Sequence, residues 1–422
     1  MKPSRNLGKA FALAKARYAA LGVDVDAALS ILETVCVSIQ CWQGDDVRGF
    51  ENTGAALGGG LAVLGSYPGR ARTPDELRRD VEKVFSLVPG VHRFALHASY
   101  GEFGGLRVDR DAVLPEHFQN WVSWARGLGI GLDFNQTFFA HPMAESGFTL
   151  THPDPAVRGF WIEHGRRCRE IGASFGKALG TACVTNLWIP DGWKDTPVDR
   201  RGPRERLADS LDEVFKKRFS QTVHWDSVEP KLFGLGSESY VAGSYDFYLS
   251  YAVTRRKMLC LDTGHFHPTE NLADKLSAVM PWVPGVLLHV SRGIRWDSDH
   301  VVTLQDAVVD IAQELVRNSY LGRVRLGLDY FDASINRIAA WVIGIRSVLK
   351  AILLALLEPT AELKRLETEG DLTGRLALLE ECKHLPWGIV WEHHCDRQAV
   401  PSDISWLQEV RRYEKEVLSG RP

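Results

Sequence analysis

Five carboxylates and two imidazoles fall between positions 229 and 329: Glu229, Asp262, His265, His289, Asp297, Asp299 and Asp329. Each sits at or just past the end of a short apolar run. Gathered in one place without counter-charge, the carboxylates would raise one another's pKa and protonate. Cations among them remove that penalty, so the economical reading is a site for two divalent metals. Mixed carboxylate and imidazole donation without thiolate suits Mn2+, Mg2+, Co2+ or Zn2+, with manganese favoured by six-fold, oxygen-rich coordination. Each residue alone has a duller explanation: Asp297 or Asp299 could cap a helix starting near His300, and a lone strand histidine is usually a hydrogen-bonded core residue. Seven such coincidences on four consecutive strands favour the metal reading.

The elements that must position these groups recur along the chain. Short apolar runs end in polar or aromatic residues eight times: VCVSIQ before Cys41-Trp42-Gln43, HRFALHA with His97, GIGLDFN with Asp133 and Asn135, and ACVTNLW with Asn186 and Trp188. VHWDSVEPK then carries Glu229 and Lys231, MLCLDTGH carries Asp262 and His265, VLLHVSR carries His289, and VRLGLDYFD carries Asp329 and Asp332. Helical patterns lie between them, as where Asp154-Pro155 reads as N-cap and first residue of a helix. Eightfold alternation of strand and helix predicts an α/β fold, a (β/α)8 barrel, whose chemistry gathers at the C-terminal ends of the strands. The ends of strands five to eight are then neighbours. Glu229, Asp262, His289 and Asp329 can converge on one cation, leaving His265, Asp297 and Asp299 for a second.

We read residues 1–334 as the barrel domain and 335–422 as a C-terminal helical extension that wraps the barrel or builds an oligomer interface, since its apolar faces need partners. The basic N-terminus has apolar residues at helical spacing and reads as a first amphipathic helix rather than a transit peptide. Trp341 to Leu357 is interrupted by Arg346 and Lys350 and reads as a buried helix, not a membrane span. His393-His394-Cys395 has no fourth ligand at zinc-like spacing and reads as surface. Residues 43–73 carry eight glycines and little periodicity. Loops beyond roughly 12 to 15 residues are usually functional, so this one is expected to be a mobile cover over the barrel mouth; no Gly-Lys-Ser/Thr follows it to make a phosphate cradle.

With 50 basic against 53 acidic residues, no net field favours nucleic acid or an anionic membrane. The balance suits a small uncharged substrate, and the 13 tryptophans offer flat apolar faces to sugar rings. Seven scattered cysteines without a Cys-x-x-Cys pair read as reduced thiols of a cytoplasmic protein.

The strings CWQGDDVRGFE, GVHRFALHASY, KLFGLGSESY, LCLDTGHFHPTE, LLHVSRGIRWDSDHVV and LGLDYFDASINRIAAWVIG, spread over nearly the whole chain, resemble the L-rhamnose isomerases of bacterial type. That family is similar in turn to the xylose isomerases. The resemblance implies a tetramer of metal-dependent barrels with C-terminal helical arms. It implies a structural metal on Glu229, Asp262, His289 and Asp329, and a catalytic metal on His265, Asp297 and Asp299. Lys231 matches the family's lysine near the carbonyl, His97 its ring-opening histidine and Trp188 its sugar-stacking tryptophan. Lys231, His97 and Asp329 are then the expected catalytic residues, and Trp188, His97 and Lys231 the expected contacts to substrate.

The implied reaction converts L-rhamnose to L-rhamnulose, by a 1,2-hydride shift or through an enediol. The lack of an uncommitted carboxylate favours the shift. Two rival readings are a phosphodiesterase-like metallohydrolase, which would want more basic residues than Lys231 and Arg292 at the strand ends, and a sugar-binding protein with structural metals only. Neither nucleic acid nor membrane is an expected partner.

Overall fold

The computed structural model describes residues 5–51, 57, 63–231, 238–267, 269–294 and 299–421. Eight parallel strands close into one barrel, in chain order β1 (Val37–Gln40), β2 (Arg93–His97), β3 (Gly131–Asn135), β4 (Cys183–Leu187), β5 (His224–Val228), β6 (Met258–Asp262), β7 (Val286–Val290) and β8 (Val324–Leu328). Register across the closure is set by Val37 opposite Leu326 and Ile39 opposite Leu328. The eight strands expected from the apolar runs are the eight observed.

Alternation along each strand splits the core in two. Outward residues such as Ile39, Phe94, Leu96, Phe134, Leu259 and Leu288 join one large cluster with the surrounding helices. Inward residues Val184, Met258, Cys260 and Leu287, with Trp225 against them, form a separate cluster inside the barrel on strands β4 to β7. That plug underlies the site at the strand ends.

The helices begin where their caps dictate. Asp154 accepts the Ala156 N–H ahead of Pro155–Leu179, with proline as the first residue and Gly180 in the left-handed region as the stop. Thr73 caps Pro74–Phe85 by accepting from Glu76 N–H. The approach of helix Pro155–Leu179 to the sheet requires glycine at 176, because a Cβ there would lie 1.8 Å from the Val223 carbonyl oxygen.

Helix Arg337–Leu356 follows β8 and packs on helices Asp306–Arg317, Val25–Leu32 and Pro74–Phe85. It has the length and hydropathy of a membrane span, but 83% of its most apolar window is buried inside the protein. This helix completes the outer ring, whereas the expected boundary at 334/335 assigns it to the C-terminal extension. Helices Thr360–Thr368, Leu372–Cys382, Trp387–Arg397 and Ser405–Glu416 follow.

Helix Trp387–Arg397 corrects one expectation: His394 and Cys395 are buried, and His393 stacks on Phe11 with ring centroids 3.7 Å apart. The reason is spacing. Val390, Trp391, His394 and Cys395 share one helical face, and the helix packs on both Arg5–Ala19 and Arg337–Leu356. Asp299 does not cap the following helix, which begins at Asp306 after Gln305.

Of the glycine-rich loop, residues 52–56 and 58–62 lie outside the described residues. Its ends are held by Arg337, which ion-pairs with Asp46 at 2.8 Å and donates to the Tyr67 carbonyl at 2.7 Å. Arg421 donates to the Gly69 carbonyl at 3.1 Å, so the chain's last residues help fix the loop's return.

Candidate active site

Strands β5 to β8 deliver one candidate ligand each. Glu229 follows β5, Asp262 ends β6, His289 lies in β7 and Asp329 follows β8. All four are buried, and one donor atom from each falls within a common span of 4.8 Å. His289 Nδ1 is 2.8 Å from Asp329 Oδ2, 3.3 Å from Glu229 Oε1 and 3.8 Å from Asp262 Oδ2. The carboxylates are oriented from behind: Asn186 Nδ2 donates to Glu229 Oε2 and the Gly264 N–H donates to Asp262 Oδ1 at 2.6 Å.

The electrostatics of the cluster are those of a site short of positive charge. Among the described residues neither Glu229 nor Asp329 has a lysine or arginine partner. Burial pushes Glu229 up, but the charges of His289 and His265 hold it below the ordinary carboxylate range. Burial raises Asp329 against the pull of His289. Burial also opposes charge on His289, yet Cys260, Asp329 and Glu229 hold its pKa well above the usual imidazole value. Asp329 Oδ1 has no hydrogen-bond partner among the described residues. A buried carboxylate oxygen so placed, amid three carboxylates and one imidazole, fits a divalent cation.

The second expected set is partly in view. His265 Nδ1 stands 3.6 Å from Glu229 Oε1, and His265 and Asp299 line the same cavity as Glu229, His289 and Asp329. Asp299 holds its backbone in the left-handed region at φ 45°. Asp297 lies outside the described residues.

Aromatic rings wall this cavity: Trp42, Phe139, Trp188 and Phe331. Trp42 lies over the imidazole of His97 with centroids 4.3 Å apart and meets Phe331 edge-on at 5.8 Å. Phe139 meets Trp188 edge-on at 6.0 Å. Asn135 and Asn186, at the polar ends of β3 and β4, join the lining with Gln136 and His97. Burial, with the nearby charges of Arg110 and His289, keeps His97 well below its usual pKa, so its imidazole is neutral. Lys231 stands behind the wall, its Nζ 5.8 Å from the centre of the Trp188 ring, donating to the Pro190 carbonyl at 2.8 Å and ion-paired to Glu238. Burial lowers its pKa against the pull of Glu238. Trp42 and Phe331 were not singled out as site residues from sequence, although each closely follows the end of a barrel strand; that position was the available signal.

Residues 5–421 match the family described as L-rhamnose isomerase (RhaA). The chain belongs to the L-rhamnose isomerase family. It is 60% identical over 421 residues to the L-rhamnose isomerase of Rhodopirellula baltica, covering 100% of this chain and 98% of that protein. It is 56% identical over 416 residues to that of Cronobacter sakazakii, covering 99% of each. Among solved structures, an L-ribulose 3-epimerase aligns with a TM-score of 0.47 and 15% identity over 72% of this chain and 98% of its own. A D-allulose 3-epimerase from Methylomonas aligns with a TM-score of 0.45 and 12% identity over 76% of this chain and 94% of its own. Membership of the L-rhamnose isomerase family makes the protein an isomerase and sets the hydrolase reading aside.

Proposed function

We propose that the protein interconverts L-rhamnose and L-rhamnulose at the C-terminal mouth of the barrel with two divalent cations bound. The observation carrying this reading is the convergence of Glu229, Asp262, His289 and Asp329, with no lysine or arginine at Glu229 or Asp329 among the described residues. These four would hold one cation, and His265, Asp297 and Asp299 a second; manganese suits the oxygen-rich donors. Moving hydrogen from C2 to C1 builds negative charge on O1 and O2, and the cations supply Lewis-acid stabilisation of that charge.

The chain's own residues do the rest. Trp42, Phe139, Trp188 and Phe331 offer apolar faces to the sugar and exclude water, with Trp188 the stacking surface. His97 serves the ring oxygen as the pyranose opens. Donation from Lys231 to O1 must compete with Glu238 and the Pro190 carbonyl, so its first contribution is a buried positive charge beside the carbonyl end. An aromatic-walled site whose lining carboxylates among the described residues, Glu229, Asp299 and Asp329, are all assigned to the cations favours the 1,2-hydride shift, and a deuteron at C2 should be retained in the ketose; washout into solvent during turnover would reject that route.

Seven free cysteines, with no disulfide, accord with a cytoplasmic protein. Helix Leu372–Cys382 buries none of its residues and leaves Leu372 and Leu376 56% and 59% exposed, which accords with a tetramer. Sedimentation measures that directly.

The decisive assay is ketose formation from L-rhamnose by metal-loaded protein, with and without chelator. Chelation should abolish turnover and leave far-UV dichroism nearly unchanged, because the barrel core is apolar. Full activity in metal-free protein would overturn the reading.

A further inference from the structure

The buried polar chain behind His97 determines which of its ring nitrogens carries the proton. Few choices are open there, because buried N–H and O–H groups need acceptors and a neutral imidazole has one donor and one acceptor nitrogen. The assignment starts at His164, fully buried on helix Pro155–Leu179. Its Nε2 accepts the Thr137 backbone N–H at 3.1 Å, so Nδ1 holds the ring proton and donates to the Arg110 carbonyl at 2.9 Å. Arg110 Nη1 in turn donates to the Thr137 carbonyl. Thr137 is thereby clamped on both sides of its own backbone.

Its side chain faces His97. Thr137 Oγ1 accepts the Ala98 N–H at 3.1 Å and lies 3.2 Å from His97 Nδ1. Among the described residues the hydroxyl hydrogen has no other acceptor, so the O–H donates to Nδ1. A neutral ring that accepts at Nδ1 carries its proton on Nε2. That nitrogen has no hydrogen-bond partner among the described residues and belongs to a side chain lining the aromatic-walled cavity.

We propose that Thr137 is a positioning residue that fixes His97 as the Nε2–H tautomer, so that the imidazole meets the sugar as a hydrogen-bond donor rather than as a base. The proposal deepens the isomerase reading and rests on it for the presence of the sugar. Ring opening breaks the C1–O5 bond and forms the C1=O1 double bond, and the proton leaving the O1 hydroxyl is carried by solvent water to O5. A donor at Nε2 complements O5, the atom whose negative charge grows. Thr137 keeps its proton throughout and touches no reacting atom.

Neutron diffraction from sugar-free, deuterium-exchanged protein reads the tautomer directly. Deuterium on His97 Nε2, with the Thr137 hydroxyl deuterium aimed at Nδ1, is expected; deuterium on Nδ1 overturns the proposal. Thr137→Val, which removes the hydroxyl at nearly constant volume, should lower kcat by about tenfold with KM nearly unchanged, and Thr137→Ser should restore most of it. A valine variant as active as the parent also overturns the proposal, and if valine prevents folding the diffraction result still decides. Wild-type protein inert toward L-rhamnose with metals added would reject the isomerase reading alone, whereas active enzyme with deuterium on Nδ1 would reject the tautomer alone.

Discussion

Asp226 and Glu229 lie three residues apart, on and just past strand β5, and they meet opposite environments. Asp226 faces the helices, where Arg169 Nε donates at 2.7 Å and Lys257 Nζ at 2.6 Å. Burial pushes its pKa up, but His224, Arg169 and Lys257 together bring it down to about 2. Glu229 faces the barrel mouth, where its positively charged partners among the described residues are the imidazoles of His265 and His289. Asp133, ion-paired to Arg93 at 2.8 Å on the neighbouring part of the barrel, repeats the first pattern, and Asp329 repeats the second. Where the chain supplies the cation, a buried carboxylate serves the fold. Where no lysine or arginine reaches it among the described residues, as at Glu229 and Asp329, a buried carboxylate is left for a cation from outside, in line with the site proposed above.

Removing either member of this contrast should fail in its own way. The largest effect is expected for Glu229→Ala, which should lower turnover by at least about 10³-fold and weaken metal binding while the protein remains folded. Metal titration by calorimetry alongside kcat measures both, and undiminished metal binding would break the contrast. Arg169→Met should do the reverse. It leaves Asp226 buried against one fewer cation and should cost about 3–5 kcal/mol of stability, with little change in turnover per folded molecule; urea unfolding and active-site titration separate the two.

Metal itself should stabilise by mass action, about 2.7 kcal/mol at a free concentration one hundred times Kd. Asp329→Asn should shrink that increment. A Tm independent of added metal would remove the reason for the bare carboxylates.

A separate effect is read in acid. Burial brings His92, His224 and His394 down from 6.5 to about 4. The unfolded chain then binds protons that the folded chain refuses, so stability is fully present above 6.5 and falls as pH drops toward 4. Asp226 stays ionised and paired throughout that window. His92→Gln should make the slope shallower, and a flat profile with all three histidines intact would exclude these assignments.

Much of this organisation was legible in the sequence because it is written in local patterns. Short apolar runs ending in polar or aromatic residues marked all eight barrel strands, Asp154-Pro155 marked a helix start, and donor types at four strand ends marked the candidate metal-ligand cluster. The misjudged burial of His394 and Cys395 came from weighing residue type over helical spacing, since Val390, Trp391, His394 and Cys395 form one face.

What the sequence determined by itself is the set of elements and the kinds of atom at their ends, because strand alternation, capping and ligand chemistry depend on neighbours in the chain. Only the tertiary structure decided that Trp42 lies on His97, that Phe331 closes the same wall and that Arg337 ties both ends of the glycine-rich loop. It also decided that helix Arg337–Leu356 belongs to the barrel's outer ring and that Thr137 faces His97 from the neighbouring strand end. These contacts join residues that are mostly far apart in sequence. Barrel closure and side-chain packing choose them, and no local preference encodes either.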